Sequence, residues 1–402
     1  MLRFLTAGES HGPQLTAILE GMPAGLPLAP DQLQPDLSRR QQGYGSGGRM
    51  GIEKDTVRIT GGVMGGRTTG GPIALQIDNL DYAHWRNKDI APMTIPRPGH
   101  ADLTGAVKYG LRDLRLALER ASARETAARV AVGAVCRHLL GQFAIVIGSY
   151  VVSIGEVDAA LPAPPNDRAN EIYLARFRAA DASEVRCPDA AAAERMRQAV
   201  WDIMQAKDTL GGIFEVVALG VPPGLGSYAQ WDRRLGGRLL AAIGSIQAVK
   251  GVEIGPAFQN TRLPGTQVHD EIDLGPLDDA ADPAQLTRRS NRAGGLEGGI
   301  STGLPIVARG AMKPISTTLT PLRSVDLASG QPAATRYERS DFCAVPRAAV
   351  VAEAMVAFVL ADALIEKLGG DSLDEMHPRF ETLRRARLSD LPMDNSTWQF
   401  GL

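Results

Sequence analysis

Cysteine is scarce in this sequence. Cys136, Cys187 and Cys343 are the only three in 402 residues, far apart and in no CxxC pair. That argues against a disulfide framework and a cysteine-built zinc site, and it fits a reducing compartment. The six histidines show no HxH or HExxH spacing, so no metal is expected. No uncharged apolar run approaches the length of a membrane span. The N-terminal MLRFLTAGESHG lacks an apolar core followed by a small-residue cleavage site. The expectation is a cytoplasmic protein without a membrane segment. Aromatics at 5% and a formal charge of −2 provide neither stacking platforms nor a basic field, which argues against a nucleic-acid partner.

Glycine is abundant, at 44 residues, and it is clustered. The remainder, 44% apolar and 22% charged, is that of a folded protein with a large core. Strands are expected at 15–19, 57–59, 73–77, 143–154 and 214–219 from short apolar, β-branched runs. Helices are expected at 31–40, 190–208, 231–246 and 346–368. The stretch 102–140 reads as helical, interrupted near 121–123. Residues 158–190, with the proline-rich LPAPPNDR, read as a surface insertion, and 258–290 as a polar loop. The tail 377–402 is charged. The whole reads as one domain, 1–402.

GGVMGGRTTGGPIAL (61–75) and GGLEGGISTGLPIVA (294–308) align without a gap at an offset of 233, with eight of fifteen positions identical. Each precedes a long alanine- and valine-rich helix. Self-similarity of this kind marks a duplicated β/α unit.

Candidate chemistry concentrates in rigid turns. His11 sits in GESHG, where flanking glycines let the ring point at a ligand; read alone, it serves equally as a surface residue. His100 sits in PRPGHADL, fixed by two prolines and a glycine before a helix that Asp102 is placed to cap. Histidine titrates near neutrality and suits proton transfer. Arginines flank the glycine-rich loop and the helix that follows. The guanidinium fork matches carboxylate and phosphate. MKPIST (312–317) adds a lysine and two hydroxyls. The P-loop and Rossmann fingerprints are both missing.

Taken together, GESHG, RRQQGYGSGGRM, RPGHADL, RASARETA, SIQAVKG, GGISTG, MKPIST and RSD resemble chorismate synthase in kind and order, from residue 6 to about 368. The resemblance implies an α+β fold, a layered β-α-β-α sandwich, and a homotetramer. It implies conversion of 5-enolpyruvylshikimate 3-phosphate to chorismate and phosphate by 1,4-anti elimination, with reduced FMN as cofactor and NADPH as a candidate reductant. His11, His100 and Asp341 match the catalytic positions: His11 on the departing-phosphate side, His100 near the flavin ring, Asp341 near the abstracted proton. FMN contacts match Arg120, Ala121, Ser122, Gln247, Ala248, Gly298, Lys313, Pro314, Ile315, Ser316, Thr317 and Arg339. Substrate contacts match Ser10, Arg40, Ser46, Arg49, Arg97 and Arg124. Many relatives carry arginine where this chain has Ser46, which bears on NADPH or substrate affinity. An FMN oxidoreductase or NADPH-dependent flavin reductase is the alternative reading.

Overall fold

The computed structural model describes residues 1–47, 53–275, 285–338 and 340–401. The chain opens with strands β1 (Arg3–Ala7) and β2 (Gln14–Glu20), helix α1 (Pro30–Gln41), and strands β3 (Val57–Gly61) and β4 (Ile73–Asp78). Helices α2 (Asp102–Tyr109), α3 (Arg115–Ala121) and α4 (Thr126–Gly141) follow. Then come β5 (Val146–Ile154), α5 (Ala169–Asp181), α6 (Ala190–Gln205), β6 (Gly212–Leu219), α7 (Leu235–Gly244), β7 (Val249–Ile254) and β8 (Ile306–Met312). The long α8 (Val345–Leu368) and α9 (Leu373–Glu381) end the regular structure, apart from short turns.

The duplication read from the glycine repeat extends to whole elements. The first sheet has the antiparallel order β1-β2-β4-β3; the second repeats it as β5-β6-β8-β7, with a short extra edge strand beside β5. In each copy a helix, α1 or α7, joins the second strand to the third, and a long helix, α4 or α8, follows the fourth. The repeated glycines form the hairpins Val63–Met64/Arg67–Thr68 and Leu296–Glu297/Ile300–Ser301. Gly62 and Gly295 hold matching left-handed φ values of 83° and 80°. At either one a Cβ would lie 2.5 Å from a proline carbonyl oxygen, Pro72 or Pro305, so only glycine fits. The hydroxyls of Thr68 and Ser301, also 233 residues apart, make matching bonds: Thr68 donates to the Pro23 carbonyl at 2.6 Å and Ser301 to that of Pro222 at 2.7 Å.

The layers run β-α-β-α, so the fold is the α+β sandwich expected. Helices α1 and α4 pack on the first sheet, α8 and α7 on the second, and α4 crosses α8 between them. The crossing is close at Gly133, where a Cβ would meet the Ala354 Cβ at 2.2 Å. Helix α8 is long and apolar enough to cross a bilayer, but 89% of its most apolar window is buried in the fold. A single carboxylate, Glu353, interrupts the apolar stretch between Arg347 and Asp362. Glu353, 1% exposed, accepts two bonds from Arg39 at 2.7 and 2.8 Å and one from Ser149 at 2.5 Å, with Arg137 and Arg186 at 3.2 and 3.5 Å. The fourth layer comes from segment 158–190: Tyr173 and Phe177 of α5 pack on Tyr150, Val217, Leu219 and Val307, on the outer face of the second sheet.

The apparent 102–140 helix is three helices: it breaks at Gly110, in the left-handed conformation at the end of α2, and again at Ser122. The expected helix at 231–246 begins with a 3-10 turn at Trp231–Arg233 and becomes α-helical only at Leu235.

Candidate active site

The equivalent connections of both copies converge on one cavity of about 780 Å³. The last turn of α1 supplies Arg40, the α1–β3 loop Gly47 and Glu53, and the α7–β7 loop Gln247 and Ala248. The β4–α4 connection supplies Arg97, His100 and Arg124. The β8–α8 connection supplies Lys313, Thr317 and Asp341, and α8 itself supplies Arg347. The turn between β1 and β2 adds Ser10 and His11. The volume lies within the roughly 300–1,000 Å³ usual for small-molecule and cofactor sites.

Both histidines are held by carboxylates at Nδ1. His11 Nδ1 lies 2.8 Å from Glu119 Oε1 on α3, and the ring packs on Trp85 with centroids 4.3 Å apart. His100 Nδ1 lies 2.6 Å from Asp102 Oδ1. Asp102 does not cap α2; Ala101 occupies the cap position. Its fully buried carboxylate instead turns back on the preceding loop, accepting from Arg97 Nε at 2.8 Å, from Arg97 Nη2 at 3.0 Å and from the Arg97 backbone N–H at 3.0 Å. Burial alone would raise the Asp102 carboxyl, but hydrogen bonds from His100 and Arg97 outweigh it and hold the group far below the usual carboxylate range.

The arginines are preset by carboxylates behind the cavity lining. Asp55 bridges Arg40, at 2.8 Å, and Arg124. Arg40 also donates to Thr126 Oγ1 at 3.0 Å, and Arg124 to Asn79 Oδ1 at 2.8 Å. Arg97 donates to Thr317 Oγ1 at 2.9 Å. Burial, and then the neighbouring cations Arg124 and Arg347, push the Arg40 guanidinium down to about 10 despite the pull of Asp55. A buried cation disfavoured in this way is stabilised by an incoming anion.

Asp341 Oδ1 accepts from the Gly47 N–H at 2.8 Å and Oδ2 from Arg347 at 2.5 Å. The expected cofactor residues Ala121, Ser122, Gln247, Ala248, Lys313, Ile315, Ser316 and Thr317 line the cavity. Arg120, Pro314 and Gly298 do not, nor does Ser46 of the expected substrate contacts. The Arg120 guanidinium turns onto the Thr6 and Gly8 carbonyls. The Ser46 hydroxyl donates to the Gly43 carbonyl at 2.5 Å, and Gly298 lies at the turn of the second hairpin. Arg49 and Arg339 lie outside the described residues.

The residues missed in the sequence are mainly partners: Asp55, Glu119, Trp85 and Arg347. Nothing in local spacing announces the first three. Arg347 carried a signal, since an arginine in the first turn of an apolar helix opposes the helix dipole and needs another reason to be there. Its Nε and Nη2 are buried without a protein partner among the described residues. Gln247 Oε1 is in the same condition.

A duplicated sandwich whose two copies close over buried cations and two carboxylate-held histidines defines a class: an enzyme that encloses a small polyanion and moves protons around it. Comparison with known proteins gives the particular one. The sequence profile of the family described as chorismate synthase matches residues 2–365. The chorismate synthase of Aquifex aeolicus (strain VF5) is 53% identical over 390 residues, covering 94% of this chain and 96% of that protein. That of Chlorobaculum tepidum is 52% identical, covering 96% and 98%. A crystal structure of chorismate synthase superposes with a TM-score of 0.77 at 46% identity, covering 94% of this chain and 96% of the other. The chain belongs to the chorismate synthase family, carbon–oxygen lyases of aromatic biosynthesis.

Proposed function

We propose that this chain converts 5-enolpyruvylshikimate 3-phosphate to chorismate and phosphate, with reduced FMN, in the cytoplasm and as a homotetramer. The observation that carries the reading is the grouping of His11, His100 and Asp341 with Arg40, Arg97, Arg124 and Arg347 around one cavity.

The residues present fit a flavin beside an anion. Gln247 Oε1 is a buried acceptor that requires a donor, and an isoalloxazine edge carries such donors. Lys313, Ser316 and Thr317 offer a cation and hydroxyls to an anionic group. Ala121, Ser122, Gln247, Ala248 and the 313–317 segment would hold the flavin. When bound and reduced, it supplies electron density transiently to the substrate ring, and the overall reaction stays redox-neutral.

The protein's part is orientation, charge and protons. The arginines bind the two carboxylates and the phosphate of the substrate and exclude water from among them. In the elimination the C–O bond to phosphate breaks with its electron pair, a C–H bond on the opposite ring face breaks, and a new double bond joins the conjugated system. His11 gives a proton to the departing phosphate. Asp341 stands on the side where the ring proton leaves. His100, held by Asp102, keeps a proton beside the flavin. Flavin reduction as the sole activity is not favoured, because it has no use for this set of arginines and histidines.

The test is anaerobic: purified protein, dithionite-reduced FMN and the substrate. Chorismate and phosphate in equal amounts are expected; tight FMN binding with neither product would refute the assignment.

A further inference from the structure

Glu119, in the last turn of α3, grips the turn between β1 and β2 at three points. Its backbone carbonyl accepts from the Ser10 N–H at 3.0 Å. Its Oε2 accepts from the His11 N–H at 2.7 Å, and its Oε1 lies 2.8 Å from His11 Nδ1. The side chain is only 13% exposed. Burial pushes its carboxyl up, but the hydrogen bonds from His11 outweigh burial and leave it below its ordinary value, so it is an anion at neutral pH. Trp85 packs on the His11 ring, and Arg115 stands 5.6 Å from Trp85. Arg120, next on the helix, donates to the Thr6 carbonyl at 2.8 Å. The helix end and the histidine turn are therefore a single unit.

We propose that Glu119 is a positioning residue for His11: its carboxylate accepts the Nδ1–H of the ring, so that the second proton, which makes the imidazolium, is carried on Nε2 and is the one delivered to the phosphate. The proposal rests on the reading of His11 as proton donor to the leaving phosphate. The chemistry is that of two acceptors facing two donors. One carboxylate oxygen is taken by a backbone N–H, which cannot change its role. The other then faces Nδ1 and accepts only if Nδ1 carries hydrogen. With both oxygens engaged, ring orientation and tautomer are fixed together.

Glu119→Gln tests this without changing shape. The amide has one acceptor, which the His11 N–H claims. Its NH2 then faces Nδ1 and can bond only if the hydrogen has moved to Nε2. The variant should invert the tautomer in an otherwise intact protein.

Histidine-selective 15N labelling of the whole protein reads this directly, with His11→Gln used to assign the signal. The expected result for the neutral ring is an Nδ1–H pattern for His11 in wild type and Nε2–H in Glu119→Gln, where the Nε2 hydrogen belongs to an uncharged imidazole and is a poor acid. The variant's kcat should fall about 10²-fold or more, as for lost acid catalysis, with substrate KM and FMN affinity within about threefold. Glu119→Asp keeps two acceptors and should keep the Nδ1–H pattern with a smaller loss of rate. An unchanged His11 pattern in Glu119→Gln overturns the proposal, as does an inverted pattern with wild-type kcat. Full activity in His11→Gln would instead strike down the role given to His11, and the labelling result would still decide whether Glu119 sets the tautomer.

Discussion

At the scale of single residues, Ser46 stands where the family resemblance implies an arginine. Its hydroxyl closes the glycine-rich loop on the Gly43 carbonyl and stays out of the cavity lining. A lost charge-assisted bond at such a position costs about 1.5–3 kcal/mol. Ser46→Arg should therefore strengthen substrate or NADPH binding by roughly tenfold or more, read as a lower KM. An unchanged KM would mean that another arginine already does this work. His11, His100 and many of the lining residues were legible in the sequence because they sit in short rigid motifs. Their partners were not. Asp55 meets Arg124 across 69 positions, Thr317 meets Arg97 across 220, and Glu119 meets His11 across 108. Local spacing carries no trace of such pairings.

At the scale of elements, the revealing case is α8, apolar all round between Arg347 and Asp362 except for Glu353. That carboxylate joins α8 to Arg39 of α1, Arg137 of α4 and Ser149 of β5. Burial raises it, yet the three arginines win, and its folded-state value falls from 4.5 to about 2. A depressed acid favours the folded state above its unfolded value and loses that contribution as pH falls towards the folded one. Asp36, in the same cluster, is displaced upwards by burial and so acts in the opposite sense. Glu353→Gln should lower stability at pH 7 by about 3–5 kcal/mol, because buried arginines lose their partner. It should also flatten the fall in the urea midpoint between pH 5 and pH 2, at about the unfolded and folded values. A parallel fall in both proteins would remove Glu353 as the source. The sequence read α8 correctly as a helix, since its apolar run is long. It did not show α5, whose polar exterior hides Tyr173 and Phe177; their spacing of four was the available sign.

On the scale of the whole molecule, the two sheets differ in cover. The second has α5 on its outer face. The first exposes Leu5 (61%) and Ile18 (38%) on neighbouring strands. A tetramer, expected from the family resemblance, accounts for that difference if the first sheet is covered by a second copy. Light scattering should give four times the 42.7 kDa of one chain, and a monomer mass would refute it. The architecture itself was partly legible. The repeated glycines announced the duplication, but they mark only a hairpin in each copy; the shared strand order comes from pairing that period and composition do not encode.

The symmetry of the cavity carries a history. Segments that correspond under the duplication meet there from opposite sides, yet the first copy brings both histidines with Arg40, Arg97 and Arg124, and the second brings Gln247, Lys313, Asp341 and Arg347. A half-length ancestor paired with its own copy would have presented two equal walls. Fusion freed each wall to mutate alone, and the division of labour seen here is open only to a chain that no longer has to match itself.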